Sequence, residues 1–170
     1  HIFDKPIDDA IENVILTGEV VDKKKELQFF ETPQDIADQL CDLANVRDAS
    51  WVLEPSAGKG AILDSILAFN PEVGILWCEL DEENVDYVTQ TTDMYGMFLG
   101  NDFLELSELD IISKIDCVVM NPPFTRQQDI DHVAHALNFL KDGGVLVSVM
   151  SPSIKFRTNK KTKEFLDLIS

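Results

Sequence analysis

The sequence predicts an α/β domain built on an open, doubly wound parallel sheet, and three observations carry that expectation. Five short apolar runs, at 51–53, 73–78, 97–99, 115–120 and 145–150, read as strands, and 115–120 is bounded and rich in β-branched residues, as a buried strand is. Stretches of helical apolar spacing separate them, which is the pattern of βαβ units rather than hairpins. A small-residue turn, Glu54-Pro55-Ser56-Ala57-Gly58-Lys59-Gly60, joins the first run to a helix, and Glu79 ends the next run about 20 residues later.

Composition bounds the rest. The 170 residues suffice for one domain with a real core. No apolar run approaches the roughly 18 residues of a membrane span, and no signal peptide is visible, so a soluble cytoplasmic domain is expected. Cys41, Cys78 and Cys117 are widely spaced in apolar surroundings, which suits buried reduced thiols and offers no zinc spacing. The formal net charge of −17 disfavours non-specific binding to nucleic acid. Beyond Met150 the balance reverses: Lys155, Arg157, Lys160, Lys161 and Lys163 face only Glu164 and Asp167. That end reads either as a solvated charged segment or as a basic lip beside the active site.

The chain opens with helical spacing from Ile7 to Leu16, stopped at Gly18, so residues 1–28 are expected to form an N-terminal helical extension to a catalytic domain at 29–170. Thr32 then reads as an N-cap and Pro33 as the first residue of a helix through Leu43. The first strand, 51–53, leads through the glycine turn into a helix at 61–69, the form of the first βα unit of a dinucleotide-type fold. The turn lacks the spacing of a phosphate loop, since Lys59 is followed by glycine and no hydroxyl is placed for magnesium. Glu54 also disfavours a polyphosphate and favours a cationic or hydroxyl-bearing ligand. Glu79 stands where a carboxylate takes the hydroxyls of a ribose, and Asp81 caps the helix that follows. After the third strand come Gly100-Asn101-Asp102-Phe103, where Asp102 can accept from an amino group and Phe103 can lie against a ring.

The fourth strand ends at Asn121-Pro122-Pro123-Phe124. Two prolines stop the strand and delay the next helix, which holds the Asn121 amide extended at a carboxyl-terminal strand edge. An amide acceptor, carbonyls without N–H partners and an aromatic plate suit a planar amino-bearing group. A helix from Ile130 to Leu140 follows, with Asp142-Gly143-Gly144 as its stop before the last strand. His132 and His135 on that helix read as surface or packing residues.

In this order and spacing the segments resemble the S-adenosylmethionine-dependent amino-methyltransferases, most closely the adenine-N6 DNA methyltransferases whose cofactor motifs precede the catalytic loop. The resemblance spans about residues 29–153 and rests on Phe30-Glu31-Thr32-Pro33, Leu53 to Gly60, Glu79, Gly100 to Phe103, and Asn121 to Phe124. It implies a Rossmann-like sheet of order 3-2-1-4-5 and S-adenosylmethionine as cofactor. Thr32 would hold the cofactor's methionine part and Glu54 would sit near its amino end. Ala57 and Gly58 would give backbone access, Glu79 would take the ribose, and Asp102 with Phe103 the adenine. Pro33, Pro55, Gly60, Leu80 and Asn121 complete the implied cofactor set. Asn121, Pro122 and Phe124 would be catalytic, with Pro123 beside them in contact with substrate.

The implied reaction is direct methyl transfer to an exocyclic amine, with the Asn121 oxygen and the Pro122 carbonyl accepting its N–H groups while Phe124 stacks on the ring. The resemblance implies N6 of a flipped adenine in DNA. An RNA base or a protein glutamine are rival acceptors, and an idle cofactor-binding subunit a rival of another kind. No target-recognition domain is inserted before Asn121 and none follows the last strand, so such a domain is expected to be separate or missing, and the family's final hairpin absent or truncated.

Overall fold

A computed structural model describes residues 31–91, 95–111 and 114–170; the helix expected between Ile7 and Leu16, and Phe30 of the first motif, lie outside them. Five strands form one parallel sheet: β1 (Trp51–Glu54), β2 (Gly74–Cys78), β3 (Met97–Gly100), β4 (Ile115–Met120) and β5 (Leu140–Ser148). Their order is β3-β2-β1-β4-β5, the doubly wound arrangement expected, with its switch point between β1 and β4. The helices are α1 (Gln34–Leu43), α2 (Ala61–Phe69), α3 (Glu82–Thr91), α4 (Gln128–Ala136) and α5 (Lys160–Ile169).

The unbroken apolar runs follow from burial on both faces. Alternate side chains of each central strand go to opposite sides. Val52, Ile75, Trp77, Cys117 and Val119 pack with Ala37, Leu40 and Cys41 of α1, Ile62, Leu63 and Ile66 of α2, and Val88 of α3. Leu53, Leu76, Cys78, Val118 and Met120 pack with Ile130 and Val133 of α4 and Phe165 of α5. The three thiols are buried and unbridged, and burial, ahead of nearby charges, pushes each up to about 12. They are core hydrophobes, as their surroundings in the sequence suggested.

At the amino ends of the strands, Asp116 ties three of them together. Its Oδ2 accepts from the backbone N–H groups of Ser50 (2.9 Å) and Trp51 (2.7 Å), and its Oδ1 pairs with Lys141. Burial alone would raise this carboxyl, but the Lys141 ammonium and the two N–H groups together hold it below its ordinary value. The opposite, carboxyl-terminal edge is left to the loops.

Two expected boundaries move. α4 ends at Ala136, with a short 3-10 turn over Leu137–Phe139, so Asp142-Gly143-Gly144 does not stop a helix. Ile115 pairs with Leu140 and Cys117 with Val145; residues 141–144 are therefore a bulge inside β5, where the sheet connection, not the glycine pair, decides the backbone. The basic end forms α5, which buries Thr162 and Phe165 and joins α4 through Lys161 Nζ to Asp131 Oδ2 at 2.6 Å.

Candidate active site

The site lies along the carboxyl-terminal edge of the sheet, and its base is the turn after β1. Gly58 and Gly60 have φ of 56° and 91°, left-handed conformations that glycine adopts without strain. Gly60 caps α2, accepting the N–H of Asp64 at 2.8 Å. The turn is bound to the end of β2: Ala57 N–H donates to the Cys78 carbonyl (2.9 Å) and Gly58 N–H to Glu79 Oε2 (2.6 Å). Glu79 Oε1 accepts from Asp81 N–H (2.8 Å) and more weakly from Asn84 Nδ2 (3.4 Å). A buried carboxylate thus fixes the glycine turn, while Oε2 keeps a lone pair for a further donor. Asp81 Oδ1 accepts from Glu83 N–H at 3.0 Å, so it caps α3 as expected.

Across the switch point, Asn121 follows β4 directly. Its Nδ2 donates to Thr32 Oγ1 at 3.0 Å, a bond spanning 89 residues. This corrects the expected role of Thr32, whose side chain does not cap α1. Pro33 stands at the cap position with no side-chain bond there, and its carbonyl accepts from Ile36 and Ala37. The Thr32 hydroxyl is instead engaged by the loop after β4.

Together these elements wall an open cleft at the switch point of the sheet, the place where ligands bind in such folds. Of the sequence-predicted residues, the structure brings Thr32, Pro55, Ala57, Gly58, Glu79, Leu80, Asp102, Phe103, Asn121 and Pro123 into its walls. Pro33, Glu54, Gly60, Pro122 and Phe124 do not line it. Glu54 is fully buried beneath the turn, its Oε1 accepting from Ser56 N–H at 2.8 Å. Its Oε2 has no hydrogen bond among the described residues. Burial drives this carboxyl well above its ordinary range; the Ser56 N–H opposes that rise and nearby Glu79 adds to it. Glu54 is therefore a buried carboxyl beneath the turn, not a wall of the cleft.

Asp102 Oδ1 accepts from Leu104 N–H at 2.9 Å, capping a short turn at the cleft edge. Phe103 is only 2% exposed, with Phe139, His132 and His135 around its ring, so it forms the floor of the cleft and not an open plate. His132 is a buried packing residue against Phe103, as expected, and it also lines the cleft. Its Nδ1 lies 2.9 Å from the Gln128 carbonyl. A carbonyl only accepts, so Nδ1 carries the proton and Nε2 is the bare nitrogen. Burial lowers the ring's pKa, which keeps it neutral against the opposing pull of that carbonyl and nearby carboxylates. Sequence reasoning also left out Glu31, Ser56, Lys59, Asp81, Asn101 and Gln128. Most sit inside motifs already singled out, and the i, i+4 spacing of Gln128 and His132, just past the proline pair, was the available signal for those two.

The lining chemistry decides what the cleft can hold. Four carboxylates, Glu31, Glu79, Asp81 and Asp102, face one ammonium, Lys59, a set that repels polyphosphate and suits a ligand with cationic and hydroxyl groups. A family model for the methyltransferase small domain matches residues 35–167.

The chain belongs to the methyltransferase small domain family.

Comparison with solved structures agrees on the fold. The Pyrococcus horikoshii protein PH1948, described as a "putative RNA methyltransferase", superposes with a TM-score of 0.64 at 19% identity, over 97% of this chain and 81% of that one. Cofactor-bound Rv0187 from MTB gives 0.63 at 14%, over 97% and 86%. TrmN from Thermus thermophilus gives 0.56 at 25%, over 68% of this chain and 38% of that one. Comparison with curated proteins found no match.

S-adenosylmethionine is the cofactor of this methyltransferase domain, and the donor set fits it. Its sulfonium, ammonium and ribose hydroxyls are the groups an acidic, phosphate-free cleft favours. Among the described residues no helix is long and apolar enough to cross a membrane.

Proposed function

We propose that this domain methylates the exocyclic amino nitrogen of a nucleobase by direct transfer from S-adenosylmethionine. The observation that carries the reading is the placement of Asn121: its amide stands at the cleft wall, held by Thr32 at 3.0 Å. An amide carries an acceptor oxygen, the group that an incoming amine needs. The sulfonium, when bound, supplies an electrophilic methyl group. The chain's own residues prepare the nucleophile. An amine conjugated to a ring has a delocalised lone pair, and accepting its two N–H bonds at Asn121 Oδ1 and the Pro122 carbonyl draws the nitrogen towards tetrahedral geometry. That localises the pair on the side of the methyl donor, by positioning and electrostatics. Pro122 and Phe124 stand outside the cleft walls, as residues of the acceptor side should, and Phe124 is the plate for the target ring. Glu79, Asp102 and the glycine turn serve the cofactor side, and Thr32 orients the Asn121 amide.

An RNA base is the first acceptor to test, because PH1948, one of the similar folds, is described as a putative RNA methyltransferase. Adenine N6 in DNA is the second reading, favoured by the Glu31-Thr32-Pro33 and Glu54-Pro55 motifs beside Asn121-Pro122-Pro123-Phe124. A protein glutamine, whose planar amide meets the same two acceptors, is the third. Transfer of labelled methyl to RNA, DNA and protein fractions, followed by digest mass spectrometry, tests the proposal. Label on a nucleobase amine supports it. Label confined to protein, or to oxygen or carbon, overturns it.

A further inference from the structure

The segment after β5 has features the reaction does not use. It follows β5 from Ser148 and reaches α5 at Lys160, and it is fastened at both ends to the residues where the Asn121 loop enters α4. Ser151 N–H donates to Asp129 Oδ2 at 3.0 Å. Asn159 Nδ2 and Thr162 Oγ1 both donate to Gln127 Oε1 at 3.1 Å. Gln127 and its neighbour Arg126 hold φ of 64° and 53°, a conformation costly for non-glycine residues and maintained only where surroundings enforce it. Gln127 lies three residues past Phe124, so the segment is clamped beside the acceptor side of the site.

Between these anchors the loop turns inside out. Ile154 packs on the core. Phe156 is 82% exposed, at the end of a short turn in which its N–H and that of Arg157 both donate to the Ser153 carbonyl at 3.0 Å. Lys155 is exposed, and Arg157 is half-buried with Nη1 enclosed and without a hydrogen bond among the described residues. An exposed aromatic between two cations, on a chain of net charge −17, is complementary to stacked bases and phosphates.

We propose that Lys155-Phe156-Arg157 is a docking platform for single-stranded nucleic acid, with a base next to the target stacked on Phe156 and flanking phosphates at Lys155 and Arg157. This rests on the nucleobase reading of the site and adds how the strand is held. The platform is local, and the acidic remainder of the surface keeps phosphate elsewhere at a distance.

The test is fluorescence anisotropy with short labelled single-stranded RNA and DNA, on wild type, Phe156→Ala and the double variant Lys155→Ala/Arg157→Ala, with S-adenosylmethionine affinity measured alongside. Phe156 is so exposed that its truncation leaves no cavity, and unchanged cofactor affinity and circular dichroism verify the fold. Phe156→Ala should weaken binding of the preferred strand about tenfold or more. The double variant should flatten the logarithmic salt dependence by about 1.4, two phosphates' worth for a single strand. Comparison of the RNA and DNA arms identifies the sugar. If the wild type binds and methylates a strand that Phe156→Ala binds equally well, the platform is refuted while the nucleobase reading survives. If the wild type binds cofactor but neither strand, or methylates only protein, both fall.

Discussion

Thr32→Val tests the contact proposed to orient the Asn121 amide. Valine matches threonine in shape and removes the oxygen that accepts from Asn121 Nδ2 at 3.0 Å. A hydrogen bond of this kind contributes about 1 kcal/mol net, or roughly fivefold in the population of the productive orientation. Freed from it, the amide can also turn over and present N–H where the oxygen belongs, which removes up to another factor of about two. Single-turnover methyl transfer at saturating S-adenosylmethionine should therefore slow by about tenfold, and Thr32→Ser, which keeps the hydroxyl, should recover most of the loss. The dissociation constant of the cofactor, measured by calorimetry, should change by less than about threefold. An unchanged transfer rate, or a loss confined to cofactor affinity, would refute the orienting role and return Thr32 to the cofactor.

Two carboxyls should titrate stability in opposite directions. Glu54 is raised in the folded state, so the native protein binds more protons than the unfolded one above the ordinary value of 4.5. Its burial therefore costs increasing stability as pH rises from there to the raised value. Urea denaturation should show Glu54→Gln gaining on wild type across that window, and parallel pH curves would contradict the buried-acid assignment. Asp116 is lowered from 3.8, so its contribution is complete above that value and is lost as pH falls through the lower folded one. Asp116→Ala strands two backbone N–H groups and the Lys141 ammonium, and should lower stability at neutral pH by about 2 kcal/mol. A change within about 0.5 kcal/mol in the denaturation midpoint analysis would mean the strand ends are held by something else.

Much of this fold could be read from residues because each strand is buried on both faces. Ile115 to Met120 is continuous in apolar character because Cys117 and Val119 meet one helical layer while Val118 and Met120 meet the other. Helix α2 was found at its full extent because a glycine turn and a polar stop bracket it. What escaped was decided by distant partners. Thr32 followed by proline has every local mark of an N-cap, and only a residue 89 positions away claims its hydroxyl. Asp142-Gly143-Gly144 has the composition of a helix stop, yet the pairing of β5 with β4 makes it a bulge. His132 showed no ligand-like neighbours in sequence, because Phe103 and Asp102 reach it from the other side of the sheet edge. The motifs supplied most of the residues that wall the cleft, whereas their separate contacts needed coordinates.

Asn121→Ala, studied with cofactor titration and methyl transfer on one preparation, tests the whole scheme most directly. S-adenosylmethionine affinity should stay within about threefold of wild type, and transfer to the nucleobase amine should fall by at least about 100-fold. Transfer that persists while cofactor affinity collapses would place Asn121 on the cofactor alone and leave the amine without its acceptor.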